Sequence, residues 1–238
     1  MLPPVDDRPA ARRLLAPPWH TAVLIAIVLL ASLVGAWLQR RPGPGASIAE
    51  RHSGAIAIYL TAMALDWALF SYMWVFVRKS GTRLRDLIGG GRDPKAIALD
   101  VAIAIPFWIV WELTARFMHR LLGPSSARSV DILLPRTLLE MVVWIGVSLT
   151  AGFCEEAVFR GYLQKQFHVL TGNAAIAVLT QALLFGLAHA YQGVKNVIVI
   201  TVLGILYGLL ALGRRNLRPG MIAHAWSDVY GGLPMRFF

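Results

Sequence analysis

The chain is poor in charge. Only 15% of its 238 residues are Asp, Glu, Lys or Arg, against about 25% in ordinary soluble domains. With 57% hydrophobic residues and a mean hydropathy of +0.59, that shortfall excludes a typical soluble fold. Cysteine is nearly absent: Cys154 stands alone, so no disulfide can form within the chain. Its position beside Glu155 invites a reading as a nucleophile, but a small buried packing residue accounts for it better. No linker or long polar region sets off a second domain, so the chain reads as one membrane domain. Acids are outnumbered, 13 against 23 bases, for a net charge of +10. The bases form no stripe interleaved with aromatics, which argues against a nucleic-acid partner. They lie mostly between apolar runs, where cytoplasmic loops and anionic lipid collect them.

What the chain does have is a series of apolar runs about long enough to cross a bilayer as helices. The expected fold is all-α, a polytopic transmembrane helical bundle of about seven crossings, with six to eight as the range. The runs cover residues 21–38, 54–77, 96–115, 137–162, 174–191, 196–213 and 219–230. The first is long for a signal-peptide core and fits an uncleaved helix. Before it, the polar and Pro-rich opening residues read as a short cytoplasmic tail. Pro106 predicts a kink in the third run. Residues 121–136, with Pro124 and Pro135 as breakers, are expected to lie at the interface. With the N-terminus inside, the inner segments hold thirteen Lys and Arg and the outer ones nine, which favours that orientation.

Ionisable groups at membrane depth are costly and rarely idle. Here they fall in three apolar runs: Glu155, Glu156 and Arg160; His189, with Phe185 four residues before it; and His224 with Asp228. Adjacent helical residues point about 100° apart, so Glu155 and Glu156 are expected to differ in role. Glu156 shares a face with Arg160 at i,i+4 and suits a structural ion pair. Glu155 is then left to face a cavity as a general base towards water. Simpler readings exist for each motif: acids that pair with loop bases, a His189 bonded to a neighbouring carbonyl, a private His224–Asp228 pair. Two histidines and a carboxylate also match a zinc site with an open position. A zinc held by Glu155, His189, His224 and Asp228 therefore stays open, although the helical H-E-x-x-H spacing is missing. At about 1.5 Å per residue, these helix limits put Glu155 and His224 toward the inner face and His189 nearer the outer one. A break at Gly186 or Gly193 is one remedy.

The three stretches EEAVFR (155–160), FGLAH (185–189) and HAWSD (224–228) resemble the motifs of the CAAX prenyl protease and bacteriocin-processing and immunity family of intramembrane proteases. That pattern is Glu-Glu-x-x-x-Arg, Phe-x-x-x-His and His-x-x-x-Asn or Asp, and the resemblance covers about residues 137–232. It implies a catalytic transmembrane core over residues 137–238, with 1–136 holding the tail and three less specific helices. It implies that Glu155 and His189 activate water, that His224 stabilises the oxyanion with help from Asp228, and that Glu156, Arg160 and Phe185 support the site. Asp228 stands where members often have Asn. An ionised Asp cannot donate to an oxyanion, so it would orient His224, act protonated, or favour a metal.

The function expected is an intramembrane endopeptidase acting on a membrane-embedded or membrane-associated protein or peptide. Its expected setting is a bacterial inner membrane with the N-terminus cytoplasmic. Oligomeric state is left open. Two other classes compete. One is a non-enzymatic immunity or partner-binding membrane protein. The other is a proton-coupled transporter using Asp66, Asp100, Glu112 and Glu155 as a relay, but the internal repeat such a transporter would show is absent from the sequence.

Overall fold

The computed structural model describes residues 14–40, 54–91, 93–123 and 134–233. The expected N-terminal tail up to residue 13, and Pro124 with most of the interface segment, lie outside them. A helix is found at each of the seven apolar runs, and no strand occurs among the described residues. The helices are α1 (Pro18–Arg40), α2 (Ala55–Lys79), the short α3 (Leu84–Ile88) and α4 (Pro94–Leu122). A long rod follows: α5 (Leu138–Glu155), a π-helical segment (Glu156–Leu163) and α6 (Gln164–Thr171). Then come α7 (Ala174–Ala188), a 3-10 turn (Ala190–Gln192), α8 (Val194–Arg214) and α9 (Arg218–Gly232). Five of these units, α1, α2, α4, the 34-residue rod and α8, are long and apolar enough to cross a membrane. The chain is thus an all-α polytopic membrane protein. At 15 residues each, α7 and α9 fall short of the ~20 that a full crossing needs.

Local chemistry sets the ends. Thr137 Oγ1 accepts from Glu140 N (3.2 Å) while Glu140 Oε2 accepts from Thr137 N (3.0 Å), a capping box that starts the rod where the sequence placed it. Asp93 caps α4 through Ala96 N (3.0 Å) with Pro94 in the first turn, and α4 runs on through Pro106. The rod passes its expected end near Tyr162 because nothing between Leu163 and Thr171 breaks it. It stops at Gly172, whose φ of +68° is the left-handed conformation that ends many helices. Asn173 then caps α7 by accepting from Ala175 N and Ile176 N. A turn this short forces α7 to run back along the rod.

The main core joins both halves of the chain. Leu24 and Val28 of α1, Phe70, Met73 and Val77 of α2, and Leu87 of α3 pack with Cys154, Val158, Phe159, Tyr162 and Leu163 of the rod and Phe185 of α7. Cys154 is a buried free thiol inside this cluster. Many large apolar side chains point outward, among them Leu30, Leu113, Leu139 and Leu183, as lipid-facing helices require.

Candidate active site

The site forms midway along the rod, where α5 passes into the π-helical segment. A π turn closes i→i+5 bonds and commonly marks functional sites. This one carries Glu156 and Arg160, with Glu155 at its entry. All eight of its residues are buried. Gly152, one turn earlier, lets α9 approach: a Cβ there would lie 2.8 Å from the Met221 carbonyl and 2.9 Å from Ala225. Small residues at such crossings let membrane helices pack backbone to backbone. Trp144 fixes α9 further along by donating from Nε1 to the Asp228 carbonyl (2.8 Å).

Glu156 and Arg160 form a fully buried ion pair, Nη1 to Oε1 at 2.9 Å. The guanidinium lies 4.2 Å from the Phe185 ring centre and 5.0 Å from that of Tyr207, so two aromatic faces replace water around it. Glu156 Oε1 also receives His224 Nδ1 at 3.0 Å. A carboxylate can only accept, so the proton is on Nδ1, and Nε2 faces the other way. There it lies 3.7 Å from Glu155 Oε2 and 3.7 Å from Asp228 Oδ2. Both separations exceed a direct hydrogen bond. Glu155 Oε2 is buried and has no hydrogen-bond partner among the described residues. The adjacent acids are therefore differently placed: Glu156 is closed by two cationic or donor groups, and Glu155 is open.

His189 joins the same site. Its Nδ1 pairs with the Phe185 carbonyl at 2.8 Å, so Nδ1 carries the proton and Nε2 is the accepting nitrogen of the neutral ring. The Phe185 ring packs edge-on against both imidazoles, with centroids 4.9 Å from His189 and 6.0 Å from His224. This corrects the expected difference in depth. The rod continues to Thr171, so Glu155 sits near its middle rather than near one face. Running back from Gly172, the 15 residues of α7 bring His189 to about that level. The break expected at Gly186 or Gly193 occurs at His189 itself, with φ −103° and ψ 18°.

The proposed relay residues separate. Asp100 is bound to Arg218 (2.6 Å) and Asn216 (2.7 Å) in another buried cluster, and Glu112 pairs with Arg116 at 2.8 Å on an exposed face. Asp66 of α2 alone lies close enough to the site to feel the charges of Glu155, His224 and Asp228. Reading the sequence gave it no part in the protease site. A lone Asp outside the three motifs carries no spacing signal, and only the packing of α2 on the rod reveals it. Trp144 was missed for a similar reason.

Among the described residues, no three His, Cys, Asp or Glu side chains are placed to hold one metal ion. Both imidazoles are anchored through Nδ1, His224 by Glu156 and His189 by a carbonyl, and Arg160 supplies the cation beside Glu156. No curated protein and no solved structure matches the chain. Residues 137–230 match the family model described as type II CAAX prenyl endopeptidase Rce1-like, so the segment that builds this site is similar to the CAAX protease family, a likeness that at family level supports an intramembrane endopeptidase.

Proposed function

We propose that the chain is an intramembrane endopeptidase that hydrolyses a peptide bond of a membrane-associated substrate with water activated by Glu155. One observation carries this reading. A buried carboxylate oxygen without a hydrogen-bond partner among the described residues, Glu155 Oε2, lies 3.7 Å from the second nitrogen of an imidazole whose other nitrogen is anchored. An open acceptor with further polar groups beside it, here His224 Nε2 and Asp228, is where a water would be held.

In this mechanism Glu155 takes a proton from water as the oxygen attacks the carbonyl carbon. The tetrahedral oxyanion accepts from His224 Nε2–H, the ring being doubly protonated and tethered through Nδ1 to Glu156. Preorganised donors of this kind supply a large share of rate enhancement. Asp228, beside Nε2, supports the imidazolium rather than donating to the oxyanion. The proton on Glu155 passes to His189 Nε2 and on to the leaving amine as the C–N bond breaks. Prenylated CAAX chains are one substrate class, in keeping with the family description. Leader peptides are another. The setting is a bacterial inner membrane with the N-terminus cytoplasmic.

Glu155→Gln tests the reading. The variant keeps the Glu156–Arg160–His224 assembly and removes the base, so it should fold normally. Cleavage of a farnesylated CAAX peptide or of a membrane-anchored peptide in proteoliposomes, followed by mass spectrometry, should fall by about 10²–10⁴-fold. Cleavage at the wild-type rate would refute the proposal and favour a non-enzymatic immunity or partner-binding protein.

A further inference from the structure

The third motif residue, His189, stands at a break in the chain rather than inside a helix. α7 ends at Ala188, His189 has non-helical backbone angles, and a 3-10 turn begins at Ala190. Such a break leaves carbonyl and amide groups without intrahelical partners. In a membrane core an unmet backbone group is expensive. A side chain from the other end of the sequence meets two of them. Ser32 Oγ of α1 donates to the Leu187 carbonyl (2.8 Å) and accepts from Ala190 N (3.1 Å). These two peptide groups flank His189 on either side. Ser32 is itself buried.

Further contacts hold α1 in place for this. Gly35 of α1 faces Tyr191: a Cβ there would make ordinary van der Waals contact with the Tyr191 side chain at 3.5 Å. One end of α1 is fixed to the rod. Thr21 Oγ1 lies 2.8 Å from the Tyr162 hydroxyl, and His20 Nδ1 lies 3.0 Å from it. Gln166 donates to the Ala16 carbonyl and accepts from Leu15 N (2.9 Å). The hydroxyl of Ser32 is thus offered to the break by a helix anchored to the same rod that carries Glu155. The His189 ring is oriented by its bond to the Phe185 carbonyl, one turn before the break. If the break loosens, that bond and the direction of Nε2 loosen with it.

We infer that Ser32 is a positioning residue for His189: it staples the helix break on which the imidazole stands and so fixes the ring against Glu155 and His224. α1 lies outside the matched segment 137–230, so the staple comes from the part of the chain that the family motifs do not cover. The catalytic part of this inference rests on the endopeptidase reading; the positioning part does not.

The experiment compares wild type, Ser32→Ala and Ser32→Thr as full-length chains in proteoliposomes, with two readouts. The first is cleavage of the peptide probes described above. Ser32→Ala should lower kcat by about tenfold with KM within about twofold, and Ser32→Thr, which keeps a hydroxyl, should restore most of the loss. A loss of this size is what removing a buried hydrogen-bonding partner produces. The second is carbethoxylation of His189 by diethyl pyrocarbonate, read by mass spectrometry against His168 as internal reference. Labelling should quicken several-fold in Ser32→Ala and return towards wild type in Ser32→Thr. Wild-type kcat and labelling in Ser32→Ala would overturn the inference. So would a lower melting temperature alone, with the folded fraction behaving as wild type. Should wild type cleave neither probe, the endopeptidase reading fails, while the labelling comparison still decides whether Ser32 positions His189.

Discussion

At the scale of single residues, the site depends on one buried charge balancing another. Arg160 and Glu156 are almost completely removed from solvent, where an unpaired charge is costly but a pair is not necessarily stabilising. Arg160→Met removes the cation and leaves Glu156 with only His224 Nδ1. It should destabilise the protein by about 3–5 kcal/mol, seen as a lower melting temperature in detergent by tryptophan fluorescence. The double variant Glu156→Met with Arg160→Met removes both charges and should recover much of that stability. It should not recover cleavage, because His224 Nδ1 then has no carboxylate to hold it. Recovery of both would mean that the pair serves folding alone. The pairing of Glu156 with Arg160 could be read from i,i+4 spacing in an apolar run. The open oxygen of Glu155 could not, because it depends on where α9 places His224. Asp66 and Ser32 were equally out of reach: a solitary Asp or Ser in an apolar helix has many ordinary explanations, and only tertiary packing selects one.

Among the elements, the closeness of α5 and α9 sets the distance between Glu155 and His224. Gly152 permits it, since any side chain there meets backbone atoms of Met221 and Ala225 that cannot rotate away. Gly152→Val should cost about 1–3 kcal/mol by overpacking and should reduce cleavage more than tenfold by pushing His224 off Glu156. Gly146→Ala on the same helix is the control. Its Cβ would meet only the Met63 side chain, at 3.7 Å, so melting temperature and cleavage should both stay near wild type. Equal damage from the two would show that the helix tolerates no added volume anywhere and would remove the special role of Gly152. The helices at the seven apolar runs were legible because apolar runs in a membrane chain have few alternatives to a helix, although only five of the helical units are long enough to cross. The rod's start was legible as the beginning of the apolar run at Thr137, and the structure supplies the mechanism, the capping box with Glu140. Its true end was not, because Leu163–Thr171 is too polar to extend an apolar run yet contains nothing that stops a helix. The π-helical segment has no sequence signature, and neither does the break at His189.

Across the whole molecule, the N-terminal half is part of the site's support rather than a separate anchor. The motif-bearing segment does not enclose its own core: Phe159, Tyr162 and Leu163 bury against α1, α2 and α3, and the Tyr162 hydroxyl reaches His20 and Thr21 of α1. Removing those helices would expose buried polar groups to lipid, including Gln166 and the break at His189, each without an alternative partner. Residues 129–238 expressed alone should therefore fail to cleave the peptide probes and should accumulate poorly in the membrane. Co-expression with residues 1–128 as a separate chain should restore both, since the two parts meet through side-chain packing and hydrogen bonds that do not require a covalent link. The readout is membrane yield together with peptide cleavage. Unaided activity of residues 129–238 would refute the dependence and would also remove Ser32 from the site. Restored yield without restored cleavage would locate the requirement at the α1–His189 contact rather than in general stability, because the core packing returns with the helices while the staple demands the register that places Ser32 between Leu187 and Ala190.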